Sequence, residues 1–325
     1  MLKAIHCDTQ EHVFRHLTSL EEAKDVKNLP NALLWLDLQS PSEQDLVKLG
    51  QDFALHPLAI EDASHEHQRP KVEEYEHFYF VVFYSVSTDA QAAELNIGEI
   101  DMFLGKNYLI TVHTGQIFAL DEVEQRWTRN VNQLEWGVGV LLYTLLDTIV
   151  DRYFPIVDEM VDQAEELEDQ LFTGAVGQAA FTQELLELRK RFLALRRIAT
   201  PERDVLNTLT NRDNPIFDEH AQIYFRDIYD HITRLADTID LYRDQLSSIM
   251  DANLSIVSNN LNKVMRTLTS ASIILMVDSL LAGIWGMNFV NIPELKLQYG
   301  YYGAILLMII ISLLLLLVFR RLKWF

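Results

Sequence analysis

Residues 267–288 read TLTSASIILMVDSLLAGIWGMN, and residues 297–319 read LQYGYYGAILLMIIISLLLLLVF. The first run is apolar apart from Asp278 and a few hydroxyls. The second is 23 residues without a formal charge, and a helix needs roughly 20 to cross a bilayer. Two such helices joined by a short polar loop form a hairpin with both chain ends on one side. Gly286-Met287-Asn288 lies at the tip of this hairpin. A small, amide-bearing tripeptide suits a mouth better than a core.

The rest of the chain is soluble in character. The 325 residues carry 47 acids against 27 bases, a formal charge of -20. Phosphate binding needs Lys and Arg, so this excess argues against nucleic acid and suits attraction of cations. The last sixty residues hold only two acids, Asp278 and Glu294, so the acidity lies in residues 1–265. A single cysteine, Cys7, allows no intrachain disulfide and suits a reducing compartment. The N-terminus lacks the apolar stretch of a signal peptide. Lys263 and Arg266 precede the first span and Arg320, Arg321 and Lys323 follow the second, whereas the loop has only Lys296. Both termini are therefore expected on the cytoplasmic side of the inner membrane.

Three regions are expected. Residues 1–133 mix strand and helix signals and form a cytoplasmic α/β domain with a small sheet. Ala32–Leu38 reads as a buried strand leading to a helix start at Ser40-Pro41-Ser42, and His77–Tyr84 as an aromatic strand. Ile100–Phe103 and Tyr108–His113 flank a hairpin turn at Gly105-Lys106-Asn107. Residues 134–266 form a helical stalk region. One helix is expected over Trp136–Phe172, broken by Gly174 and Gly177. A second is expected over Phe181–Leu209, followed by a turn at Asn211–Pro215. A third starts near Asp218 and meets no Pro or Gly until Gly283, roughly 100 Å at 1.5 Å per residue. Residues 267–325 are the hairpin, with spans near 267–286 and 300–319. There is no Walker A loop, GxGxxG, CxxC or HExxH. An ATP-driven pump or an enzyme is not expected.

Gly286-Met287-Asn288, followed by Ile292-Pro293-Glu294-Leu295 between two C-terminal spans with a basic tail, resembles the CorA family of divalent-cation channels. His56-Pro57-Leu58 with Glu61-Asp62 and His67-Gln68-Arg69-Pro70-Lys71-Val72-Glu73 is similar to that family's N-terminal signature. Tyr224-Phe225-Arg226-Asp227-Ile228-Tyr229-Asp230-His231 is similar to its stalk signature. The resemblance implies an α+β membrane protein assembled as a homopentameric funnel, with the first span lining a pore. It assigns pore positions to Asn262, Met265, Leu268, Ser272, Met276, Ser279 and Asn288. The steps from 262 to 279 average about 3.4 residues, close to the 3.5 seam of a left-handed bundle.

An amide ring at Asn288 would hold a hydrated ion through its waters without trapping it. The resemblance also implies that Asp62 and Asp227 of adjacent subunits share a regulatory Mg²⁺, with Glu61 as a helper. It further implies that Arg320, Arg321 and Lys323 ring the inner mouth. The seven acids of Asp158–Asp169 read either as a solvated face or as a cation-attracting collar. The function implied is passive transport of Mg²⁺, with Co²⁺ and Ni²⁺ as further candidates, driven by membrane potential and gated by cytoplasmic metal. Two alternatives stay open: a zinc transporter of the ZntB-like branch, which ten histidines would suit, and a non-conducting membrane scaffold. The sequence departs from the family at Val277-Asp278, where a Pro is usual. A straighter first span is expected, with Asp278 about 200° from Met276 around the helix and away from the pore.

Overall fold

A computed structural model describes residues 1–29, 31–65, 67–88, 95–129, 137–173, 178–211, 219–287 and 298–324. The chain divides into two compact units, Met1–Ser247 and Ser248–Phe325.

The first unit is built on one mixed sheet of seven strands, more than the small sheet expected. They are β1 (Leu2–Asp8), β2 (Val13–Leu17), β3 (Ala32–Gln39), β4 (Lys71–Glu74), β5 (Tyr79–Thr88), β6 (Leu95–Leu104) and β7 (Tyr108–His113), in the order β2-β1-β3-β7-β6-β5-β4. Only the β3–β7 pair is parallel. Every residue of β7 is buried, as a central strand covered on both faces must be. The expected hairpin at 105–107 joins β6 to β7. Gly105 is required there, because a Cβ would overlap the Tyr108 ring.

Helices α1 (Leu20–Lys27), α2 (Glu43–Phe53) and α3 (Pro57–Ser64) cover one face. Ser42 starts α2 with a reciprocal capping box to Asp45, satisfying two orphan N–H groups. Leu46, Leu49 and Phe53 of α2 meet Leu34, Leu36, Phe80 and Ile110 in the core. On the opposite face Trp35 packs edge-on against Trp127 of α4 (Phe118–Arg129) and donates to Thr111 Oγ1 at 3.2 Å.

The expected single helix over 136–172 is instead two, α5 (Val138–Asp151) and α6 (Tyr153–Thr173), meeting at Arg152. Pro155 explains the break. In a continuous helix its ring would clash with the Asp151 carbonyl four residues back, whereas in a first turn it is tolerated. Trp136, Gly174, Gly177 and the turn after Asn211 lie outside the described residues. Then comes α7 (Gln178–Asn211), which holds Pro201 in its interior. The third expected helix is α8 (Glu219–Trp285, 67 residues), continuous through Val277.

Beyond residue 247, α8 and α9 (Gly300–Arg321) are each long and apolar enough to cross a membrane. In this unit α8 has two distinct sides. Ser270, Ile274, Asp278, Leu281 and Trp285 are buried or half-buried, while Met265, Leu268, Met276 and Leu280 are exposed. The first set recurs every three or four residues and forms one stripe of a helix.

Candidate ion pathway and metal site

Asn262, Met265, Leu268, Ser272, Met276 and Ser279 all fall on the exposed side of α8. A row of exposed Leu and Met on an isolated helix needs a covering partner. Ser272 satisfies its hydroxyl within the helix, donating to the Leu268 carbonyl at 2.8 Å. At the end of α8, Gly286 donates its N–H to the Ala282 carbonyl at 2.9 Å, and a Cβ there would approach that oxygen to 3.2 Å. Met287 is exposed. Asn288 and the Ile292–Leu295 stretch lie outside the described residues. Arg320, Arg321 and Lys323 are exposed at the end of α9. Thr267 Oγ1 of α8 shares its proton between the Lys263 carbonyl at 3.0 Å and the Trp324 carbonyl at 3.3 Å, and the second contact brings this tail to the start of the first span.

Asp278 sits on the other side of α8. Ser312 Oγ of α9 donates to its Oδ2 at 2.8 Å, while Oδ1 has no partner. An acid within a span is expensive and by default functional. Here its position and bond make it a tie between the two helices. Asn keeps the acceptor that Ser312 uses, and interhelical bonds of this kind contribute only about 0.6 kcal/mol on average. Asp278→Asn is therefore expected to leave ion flux in liposomes at the wild-type rate. Loss of flux in that variant would place Asp278 in conduction.

In the first unit, the expected regulatory acids are placed differently from one another. Asp227 of α8, Asp147 of α5 and His231 of α8 present ligand atoms that all lie within 4.8 Å of one another. Asp227 is exposed, with 59% of its side chain accessible, whereas Asp147 has 7%. Arg126 of α4 holds Asp147 at 2.5 Å, donates to Thr148 Oγ1, and lies 3.9 Å from Asp151. Burial, with Asp147 nearby, pushes the Asp151 carboxyl up. His231 is framed by Phe154, edge-on at 6.0 Å. Two carboxylates and an imidazole within bonding reach can hold a divalent ion.

Asp62 is not part of this group. Its Oδ2 accepts from Lys71 Nζ at 2.6 Å, and Lys71 also reaches Glu73 at 2.8 Å. Glu61 lies exposed on α3. Within one protomer, therefore, Asp62 and Asp227 have different partners. Asp147 was not among the sequence candidates. Its signal is an acid inside the run Val138–Val150, where every other residue but Tyr143 is apolar or small and every position but Tyr143 is buried.

Two apolar spans, a turn at Gly286-Met287 after the first, and an acidic α/β unit with a metal-compatible cluster define a membrane protein of the metal-ion transport class. A sequence model described as "CorA-like Mg2+ transporter protein" matches residues 30–321, and the chain belongs to that family. It is similar to the cobalt/magnesium transport protein CorA of Thermotoga maritima, 32% identical over 293 residues, 89% of this chain and 83% of that protein. Its fold is similar to the complete structure of the CorA magnesium transporter from Methanocaldococcus jannaschii. That match has a TM-score of 0.83 at 26% identity and covers 100% of this chain and 99% of the other. The cytoplasmic domain of ZntB from Vibrio parahaemolyticus is similar in fold alone, with a TM-score of 0.61 at 13% identity over 79% of this chain and 99% of that one.

Proposed function

We propose that the chain forms a homopentameric channel in the inner membrane that passes divalent cations, Mg²⁺ first and Co²⁺ and Ni²⁺ as further candidates. The observation that carries this reading is family membership along nearly the whole chain, together with a polar-spotted seam left uncovered on the first span. In the pentamer five such seams face one another and line the pore, and Asn288 rings its outer mouth with neutral carbonyl oxygens. Both termini face the cytoplasm, as the basic flanks require. An inward-negative potential drives uptake. A charge crossing 100 mV gains about 2.3 kcal/mol and a divalent ion about twice that, so no nucleotide is needed.

Cytoplasmic metal closes the pore. The ligands within a protomer are Asp227, Asp147 and His231, and Asp62 of the neighbouring subunit, with Glu61, completes the site at the exposed edge of Asp227. Bound metal offsets the repulsion among these carboxylates, and its loss lets the subunits separate. His231 adds a nitrogen ligand that Mg²⁺ does not favour but Co²⁺ and Zn²⁺ do. Transition metals should therefore close the channel at lower concentration than Mg²⁺.

The protein reconstituted in liposomes tests the whole reading. Flux of Mg²⁺ that rises with an imposed inside-negative potential is expected. Zn²⁺ flux without Mg²⁺ flux would favour the zinc branch, and no flux of either would leave a scaffold.

A further inference from the structure

In the proposed gating site Asp62 is a metal ligand, yet a cation of the chain itself occupies it. Lys71 Nζ donates to Asp62 Oδ2 at 2.6 Å and to Glu73 Oε1 at 2.8 Å. The arrangement follows from strand geometry. Lys71 and Glu73 lie two residues apart on the edge strand β4 and so share one face. Lys71 pairs with Val82 of β5, and Val82 with Asp101 of β6. Asp101 is only 6% exposed. The acids open to solvent beside the ammonium are therefore Asp62 and Glu73, with 30% and 40% of their side chains accessible.

The ammonium keeps a place when Asp62 is taken away. Tyr75 donates to Glu73 Oε2 at 3.0 Å and stacks on Phe78 at 4.7 Å, which fixes the Glu73 carboxylate. Lys71 Nζ also lies 5.4 Å from the centre of the Phe80 ring, a cation–π distance. Phe80 is fully buried and does not move with solvent. Lysine carries three donors on a flexible four-carbon stem. It can leave Asp62, keep Glu73 and Phe80, and require no shift of the strand.

We propose that Lys71 is a tethered competitor for the gating metal. Its ammonium occupies Asp62 when the metal is absent and withdraws to Glu73 when the metal binds, so it sets the metal concentration at which the channel closes. A divalent ion on Asp62 would stand within a few ångströms of the ammonium, and like charges at that distance repel. The carboxylate therefore serves one cation or the other. This inference rests on Asp62 being a ligand of the gating metal, as proposed above.

Mn²⁺ serves as the probe on the full-length protein in detergent, and electron paramagnetic resonance measures its binding. The ions bound by wild type and not by Asp227→Ala isolate the gating site. Lys71→Met should bind Mn²⁺ there about 3–5-fold more tightly, the scale of a partly exposed ion pair. The same variant should close in dye-loaded liposomes at correspondingly lower internal Mg²⁺. Arg69, exposed two residues before Lys71, gives the control for net charge. Arg69→Gln removes the same charge without freeing Asp62 and should leave the affinity unchanged. Equal tightening by both variants would reduce the effect to net charge and overturn the competition.

A double variant separates this inference from the site it rests on. In an Asp62→Asn background, Lys71→Met should have no further effect, because the carboxylate under competition is gone. If Asp62→Asn weakens Mn²⁺ binding and Lys71→Met alone changes nothing, the competitor is overturned and the gating site stands. If Asp62→Asn leaves binding unchanged, both fall. Should Lys71→Met fail to fold, wild-type crystals grown with and without Mn²⁺ decide. An ammonium that leaves Asp62 for Glu73 when Mn²⁺ binds supports the competition, and one that stays on Asp62 overturns it.

Discussion

Asp227→Ala should leave the channel conducting at internal Mg²⁺ concentrations that silence the wild type. The half-inhibitory concentration is expected to rise about 10–100-fold, the scale of losing one conserved partner at a metal centre. The reasoning starts from the cluster. Asp227 shares its site with Asp147 and His231 within 4.8 Å. It is also the exposed member, on the side where a neighbouring subunit can contribute. Removing it takes a ligand from each of the five proposed sites at once. Asp147→Asn should act in the same direction with a second consequence, because Arg126 would lose the buried carboxylate that it holds at 2.5 Å. Arg126 would keep only Asp151, at 3.9 Å, and weakening a pair whose acid is buried destabilises the fold. Dye-loaded liposomes at graded internal Mg²⁺ measure both. A dose-response identical to wild type in Asp227→Ala would remove the cluster from gating.

The second large effect is on stability. Glu202→Ala should lower the thermal midpoint of the detergent-solubilised protein by at least about 5 °C, from a loss on the order of 2–4 kcal/mol. Glu202 is 0% exposed and follows Pro201 in α7. Its Oε1 lies 2.9 Å from the Tyr84 N–H and 3.1 Å from the Tyr153 hydroxyl, while Oε2 has no partner. Burial pushes this carboxyl well up. The Tyr153 hydroxyl has the Tyr84 carbonyl at 2.7 Å and Glu202 Oε1 at 3.1 Å as its two acceptors. The three groups join α6, α7 and β5 in one hydrogen-bonded network, with Oε2 left unpartnered. Alanine would strand the Tyr84 N–H and leave a cavity. Glu202→Gln keeps the acceptor at the Oε1 position and the volume, but sets its NH2 where Oε2 has no partner, so it should lose less stability than alanine without matching wild type. Equal destabilisation by both substitutions would mean that the carboxyl group itself, and not the volume that glutamine keeps, is what matters. The pH dependence has a definite sign. A carboxyl raised in the folded state favours the fold at low pH, and that contribution is lost as pH climbs from the usual carboxylate range toward its folded value.

Much of this was legible in the sequence because it rests on local rules. The two apolar runs, the capping serine at Ser42, the turn at Gly105 and the absence of breakers from Asp218 to Gly283 each act over a few neighbours. The α5–α6 break was equally local and was carried by Pro155, inside a run of otherwise strong helix signal. The strands β1, β2 and β4 were harder. β2 and β4 have five and four residues, and β4 is Lys-Val-Glu-Glu at the sheet edge, where charge is a protection rather than a packing signal. The Asp278–Ser312 bond follows partly from helix angle, since two residues past Met276 points away from the seam. Asp101 and Glu202 were illegible for a different reason. Each is one acid among 47, and what distinguishes it is burial by elements distant in the chain. Glu202 meets Tyr84 across 118 residues, a separation that no periodicity records.

The central claim is that divalent ions cross through a mouth formed at Gly286-Met287-Asn288. Its most direct test is flux into liposomes loaded with Mg²⁺- and Zn²⁺-sensitive dyes under an inside-negative potential, comparing wild type with Asn288→Ala. Wild type should admit Mg²⁺ at a rate that grows with the potential. Asn288→Ala should assemble to the same size and lose most of that flux, because the amide oxygens that hold the hydrated ion are gone. Undiminished Mg²⁺ entry through Asn288→Ala, or none through wild type, would contradict the account.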